Sequence, residues 1–363
     1  MNLVMEDKLF SLIKCFKLTG NIVDATSFGN GHINKTYRVL TTKDEYILQQ
    51  INHYAFKDVE GLMNNINVVA SFIKGRGNET LELVKTNDDK LYAICDKEYY
   101  RMFRFIKNTM TYETVGKELS LAEKLGDAFG KFHHLLSDLD SNQLTETIPN
   151  FHNTPSRYLD FSSAYVNANL KLRADANDEA EFIFDHGKTY SKIIDGIKEG
   201  TVKEHVTHND PKINNILFDK DSKEVRCVID LDTVMPGSFL YDIGDSFRSL
   251  FTGENEDNRD LSLQKVDLDI FEAYMKAYLK EMKDDLTKNE IELIPYSIYL
   301  MTIECGMRFL EDYFKGNVYF HVDYEEHNLI RCKTQVALAK DILKNLDNLS
   351  KIINDILGDL NGK

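Results

Sequence analysis

The sequence predicts an α+β protein of two lobes, a small β-rich one first and a larger, mainly helical one after it. Three observations carry this. Apolar residues sit in short, partly alternating runs as far as Ile106, they recur every three or four residues afterwards, and the change falls between Lys107 and Thr111. The expected domains are therefore 1–107 and 108–363.

From Val23 to Asn52 the pattern is β-like, with turns at Gly29-Asn30-Gly31 and near Lys43-Asp44, and two short strands joined by a glycine-containing loop are expected. Val59, Leu62, Met63, Ile66, Val69, Ala70 and Ile73 then share one helical face, closed by Gly75 and Gly77. Strands are expected again at Leu81–Val84, Leu91–Ile94 and Tyr99–Ile106. Helical stripes follow through Leu121–Leu136, Phe271–Met282, Ile291–Tyr313 and Ile342–Leu360. The only β-like runs of the second half are Ile216–Phe218 and Val225–Ile229, with Asp219-Lys220-Asp221-Ser222 as the turn between them.

With 363 residues, 42% of them hydrophobic, the chain has ample material for a buried core in each lobe. Its formal charge of -15 argues against general binding to nucleic acid or anionic membrane, because both need basic surface to displace counterions. The five cysteines are odd in number and lack CxxC spacing, as expected of reduced thiols. No long apolar segment is present, so a cytoplasmic protein, monomeric or weakly dimeric, with neither export signal nor membrane span is expected.

The chemistry concentrates in His208-Asn209-Asp210-Pro211-Lys212-Ile213-Asn214-Asn215 and in Val228-Ile229-Asp230-Leu231-Asp232. Taken singly, Asp210 and Asn215 are ordinary turn formers, and Asp often ends a strand as Asp230 and Asp232 would here. Taken together, an acid, an amide five residues on, a hairpin, and an apolar strand ending in a second acid form the set that phosphoryl transfer requires. Asp210 is the candidate to orient a hydroxyl and accept its proton, and Asn215 and Asp230 are the candidates to bind Mg²⁺. Asp232 is either a further metal contact or a structural acceptor for the Thr233–Gly237 loop.

These segments resemble the catalytic core of the aminoglycoside phosphotransferase and choline kinase superfamily, distant relatives of protein kinases. The resemblance implies a protein-kinase-like two-lobe fold that uses ATP and Mg²⁺. It also implies that His208 and Asp242, in Tyr241-Asp242-Ile243-Gly244-Asp245, support the catalytic loop rather than react. The similarity extends to the N-acetylhexosamine 1-kinases through Ser27–Tyr37, Tyr46–Asn52, Tyr100–Ile106, Ile229–Gly237 and Glu304–Tyr313. On that resemblance Gly29, Asn30, Gly31, Asn34, Thr36 and Gln49 approach the nucleotide. His32, Phe247, Arg308 and Tyr319, with Asp210 and Asp230, face a sugar substrate.

One departure stands out: the third strand reads Leu48-Gln49-Gln50-Ile51, with an amide, Gln49 or Gln50, where the superfamily usually places a cation for the phosphates. Arg308 lies in an apolar helical stretch, where its guanidinium needs a partner; Glu304 and Glu311 are at ion-pairing distance along a helix. The function expected is transfer of phosphate from ATP to the anomeric hydroxyl of an N-acetylhexosamine, with ATP bound near the connector Phe105–Thr109. The alternatives are a kinase for another small hydroxyl compound, such as an amino alcohol, aminoglycoside or homoserine, and a non-catalytic nucleotide binder.

Overall fold

Alternating apolar residues at Val39, Tyr46, Leu48 and Met102 place one face of a sheet in a core, and the structure builds around that face. The computed structural model describes residues 3–28, 35–252 and 256–362. In chain order the elements begin with α1 (Leu3–Ile13), β1 (Ile22–Ser27), β2 (Thr36–Thr41), β3 (Glu45–Ile51), α2 (Val59–Gly75), β4 (Ala93–Cys95), β5 (Glu98–Arg104) and β6 (Thr109–Met110). Helices α3 (Leu119–Leu136), α4 (Thr154–Asn167), α5 (Leu170–Asp175), α6 (Asn177–His186) and α7 (Lys192–Glu199) follow. Strands β7 (His205–Thr207), β8 (Ile216–Asp219), β9 (Val225–Val228) and β10 (Met235–Gly237) come next. The chain ends in α8 (Phe239–Thr252), α9 (Leu268–Met282), α10 (Lys288–Phe314) and α11 (His327–Asn361).

The chain divides into two compact units. One comprises Met1–Met110, Asp140–Pro149 and Leu217–Met235, and the other Thr111–Leu139, Asn150–Ile216 and Pro236–Lys363. The first is the sheet unit, an antiparallel five-stranded sheet in the order β1-β2-β3-β5-β4. Leu12, Ile13 and Phe16 cover its inner face. Helix α2 begins at Asp58, whose carboxylate accepts the Gly61 N–H at 2.9 Å, and it buries the stripe from Val59 to Ile73. Asn65, fully buried on α2, ties the three segments of this unit together. Its Nδ2 donates to the Thr145 and Val234 carbonyls at 2.7 and 2.9 Å, and its Oδ1 accepts the Thr145 N–H at 2.9 Å.

The second unit is helical and the larger of the two. Helices α3 and α9 approach closely because α3 carries Gly126 and Gly130: a Cβ on Gly126 would lie 2.2 Å from the Tyr274 carbonyl oxygen. Helix α10 opens with a capping box, Thr287 and Glu290, and packs against α4, α8 and α11. Among the described residues no helix is long and apolar enough to cross a membrane. All five cysteines are free thiols.

The α+β class stands, with a small antiparallel sheet and a larger helical portion, and several elements differ in detail. Among the described residues three strands, not two, lie between Ile22 and Ile51. The unexpected β1 has only Ala25 buried and so lacks an alternating signature. Leu81–Val84 forms only an isolated bridge, Leu83 to Phe103. Strands β7 and β10 add to the two runs read in the second half; at three residues each they are too short for a period to register. The glycine turn, with Gly29, Asn30, Gly31, His32 and Asn34, lies outside the described residues.

Gly126→Ala is expected to destabilise the protein by about 1–3 kcal/mol, because backbone rather than a flexible side chain blocks the new methyl; an unchanged denaturation midpoint would contradict the close approach. A pH effect follows from His205 in β7, whose ring stacks on Phe239 at 3.9 Å and which burial pushes down to about 4. Since its folded value is depressed, the unfolded chain binds the extra proton. The stability from the neutral ring is complete above about pH 6.5 and declines by up to about 3 kcal/mol as the pH falls toward 4. Unfolding of His205→Phe should depend less steeply on pH across that interval, and an identical slope would remove His205 as the cause.

Candidate active site

Strand β7 delivers the chain into a loop whose first residue, His208, is fully buried and edge-on to Phe129 and Phe132 of α3. Asn209 follows in the left-handed region, φ 64°, and its side chain accepts the Thr207 hydroxyl at 3.0 Å. The main-chain N–H groups of His208 and Asn209 both donate to the carboxylate of Asp242 in α8, each at 2.7 Å. The same carboxylate lies 2.8 Å from Nε2 of His133 in α3, and His133 Nδ1 lies 2.8 Å from the Tyr278 hydroxyl in α9. A relay of contacts from Tyr278 of α9 through His133 of α3 thus backs the α8 carboxylate that fixes the backbone just before Asp210. His205 and His208 do not share a helical face, since His205 is in a strand.

Asp210 is partly exposed and its two oxygens are held from different sides. Oδ1 pairs with the Lys212 ammonium at 2.6 Å, and Oδ2 accepts from Asn215 Nδ2 at 3.1 Å. Asn215 Nδ2 also donates to the Asp210 carbonyl at 2.8 Å. Among the described residues Asn215 Oδ1 accepts nothing, which leaves it as the amide's available ligand atom. Burial opposes charge on Lys212, but the Asp210 and Asp245 carboxylates outweigh it and hold the ammonium above its ordinary range. A further bond from the Ser246 hydroxyl to the Pro211 carbonyl, 3.0 Å, ties the loop to α8 again.

In the sheet unit, Asp230 lies two residues beyond the end of β9 rather than on it. It adopts a left-handed conformation, φ 60° and ψ 55°, with an exposed side chain, and starts the one-turn 3-10 helix Leu231–Thr233. Asp232 in that turn is buried and pairs with Arg101 of β5 at 2.5 Å. Arg101 Nε donates to Gln49 Oε1 at 3.0 Å, and Gln49 Nε2 donates to the Thr36 hydroxyl at 3.3 Å. Gln49 and Arg101 face each other directly across β3 and β5.

Arg308 forms no ion pair with Glu304 or Glu311. Glu304 is taken by His152 and Thr154, and Glu311 by Lys315. The Arg308 guanidinium instead lies over the rings of Phe151, Tyr319 and Phe320, 5.5–5.8 Å from their centroids. Phe247, expected to face a substrate, is wholly buried against Phe251, Phe271 and Tyr274 and has no surface left for one.

Three contributors escaped the sequence reading: Lys212, Arg101 and His133. Arg101 had left a trace, a cation inside the apolar strand Tyr100-Arg101-Met102-Phe103. His133 had left almost none, lying within an apolar helical stripe.

Magnesium prefers hard oxygen donors and few protein ligands, leaving room for phosphate and water. The Asn215 amide oxygen and the Asp230 carboxylate, each in its own unit, are donors of that kind. Among the described residues no three His, Cys, Asp or Glu side chains are grouped to hold a metal by themselves.

Residues 24–277 match the phosphotransferase enzyme family. The fold is similar to that of a microcompartment-associated aminopropanol kinase, with a TM-score of 0.60 and 13% identity over 96% of this chain and 99% of that one. It is also similar to an ethanolamine kinase from Plasmodium vivax, with a TM-score of 0.54 and 16% identity over 90% and 83% of the two chains. A spectinomycin phosphotransferase solved with ADP and spectinomycin has a TM-score of 0.52 and 13% identity over 93% and 98%. At these identities the likeness is one of fold, while the family match spans more than half of the sequence: the chain belongs to the phosphotransferase enzyme family.

Proposed function

We propose that the protein is a kinase that transfers phosphate from ATP to the anomeric hydroxyl of an N-acetylhexosamine. The observation that carries the reading is the Asp210 carboxylate, partly exposed, tethered by Lys212 and Asn215 on a loop whose backbone Asp242 clamps. Such a group is preorganised to orient a hydroxyl and take its proton.

When bound, magnesium and ATP supply the transferable phosphoryl group and neutralise charge on it. The sugar oxygen forms the new bond to the γ-phosphorus as the bond to the bridging oxygen of ADP breaks, and the hydroxyl proton passes to Asp210. Lys212 keeps that carboxylate oriented. Asn215 and Asp230 are the proposed metal ligands, and Gln49 and Thr36 the proposed polar contacts to the nucleotide.

The choice of a neutral sugar is supported by the sequence resemblance to N-acetylhexosamine 1-kinases and by Arg308. A guanidinium above aromatic rings offers hydrogen-bond donors to hydroxyl or acetamide oxygens and repels an ammonium group. The second reading, an amino alcohol kinase, is favoured by the names of the aminopropanol and ethanolamine kinases of similar fold.

Incubation with ATP, Mg²⁺ and a panel of N-acetylhexosamines and amino alcohols, followed by phosphorus NMR, distinguishes them. Phosphate on the anomeric carbon supports the sugar kinase, phosphate on an amino alcohol supports the second reading, and ATP binding without turnover points to a non-catalytic binder. Asp210→Asn should lower kcat by at least roughly 10²-fold while ATP still binds; near-normal turnover removes Asp210 from the reaction. Asp230→Ala should abolish Mg²⁺-dependent turnover, and full activity in that variant rules out its assignment to the metal.

A further inference from the structure

We propose that Arg101 is a positioning residue for metal binding: by pairing with buried Asp232 it sets the left-handed turn from which Asp230 presents its carboxylate. The inference rests on the kinase reading above and extends it to a residue outside the proposed ligands.

A guanidinium cannot shed its proton, so burying one demands a countercharge and hydrogen-bond acceptors. Arg101 is only 2% exposed. Its Nη1 meets Asp232 at 2.5 Å but, among the described residues, makes no directed hydrogen bond, and Nε donates to the side-chain oxygen Oε1 of Gln49. Buried ion pairs are often no more stabilising than apolar pairs of similar volume, so this one is weak evidence of a purely stabilising role. Its location suggests another use.

Asp232 is two residues beyond Asp230 in the same tight turn. A non-glycine residue in the left-handed region costs about 1–2 kcal/mol and persists where its surroundings over-determine it. Asp230 itself has an exposed side chain. The residues after it supply the anchors: Asp232 is drawn to β5 by Arg101, and the Val234 carbonyl accepts from Asn65 of α2 at 2.9 Å. The same guanidinium holds Gln49, which reaches on to Thr36. One buried cation thereby aligns the turn bearing a proposed metal ligand with two residues proposed to meet the nucleotide.

The test measures Mn²⁺ binding in the presence of ADP, by water-proton relaxation, alongside the urea unfolding midpoint and adenosine affinity. Arg101→Met should weaken Mn²⁺ binding at least tenfold and leave adenosine affinity within twofold. Because that variant strands the Asp232 carboxylate and can fold poorly, Arg101→Met with Asp232→Leu is the second arm. It should recover the parental unfolding midpoint without recovering Mn²⁺ binding. Arg101→Lys, which keeps the charge but not the fork that spans Gln49 and Asp232, should fall between parent and Arg101→Met.

Parental Mn²⁺ binding in the folded double variant, or an equal loss of adenosine and Mn²⁺ affinity in Arg101→Lys, overturns the assignment of Arg101 alone. If the unaltered protein binds no Mn²⁺ with ADP, the kinase reading falls and this inference falls with it.

Discussion

The helical unit depends on the Asp242 carboxylate. It accepts two consecutive main-chain N–H groups from the loop after β7 and lies against the His133 ring, which in turn meets the Tyr278 hydroxyl. The backbone of His208 presents both N–H groups to this one acceptor, and the chain then turns at Asn209, φ 64°, immediately before Asp210. Removing this acceptor would leave two buried donors without partners, each costing about 1–3 kcal/mol. The orientation of Asp210 is therefore inherited from a residue 32 positions later in the sequence, and from the helices that carry its partners.

The protein is acidic overall, yet its cations occupy specific places. Lys212 sits against Asp210, Arg101 against Asp232, and Arg248 against Asp245. Each is within hydrogen-bonding distance of a carboxylate and partly or wholly removed from water, where Coulombic attraction is stronger than on the surface. Arg308 differs from these three, since aromatic faces take the place of a carboxylate and leave its N–H groups to other acceptors. The distinction between a cation that orients a neighbouring acid and one that offers donors runs through the functional reading.

The parts legible in the sequence were those set by local periodicity or close spacing. Helices α2, α3, α9, α10 and α11 each carry a long apolar stripe that water alone would select. The interval from Asp210 to Asn215 is short enough that one loop brings the two side chains together. Strands β1, β7 and β10 were missed because they are short, or because their exposed side chains do not alternate. Phe247 was misplaced because an aromatic residue on a helix looks the same in sequence whether it faces a ligand or, as here, Phe251, Phe271 and Tyr274.

The sequence by itself determined the α+β class, the main helices and the pairing of Asp210 with Asn215, because these follow from hydrophobic period and near-neighbour chemistry. Tertiary structure alone decided other partners: that His133 would lie against the Asp242 carboxylate, that Arg101 would meet Asp232, and that Arg308 would lie on three rings. These pairs join residues as much as 157 positions apart, as Phe151 and Arg308 are, and no local pattern encodes them. They exist because folding removes the groups from water, where an unpaired charge or donor is costly.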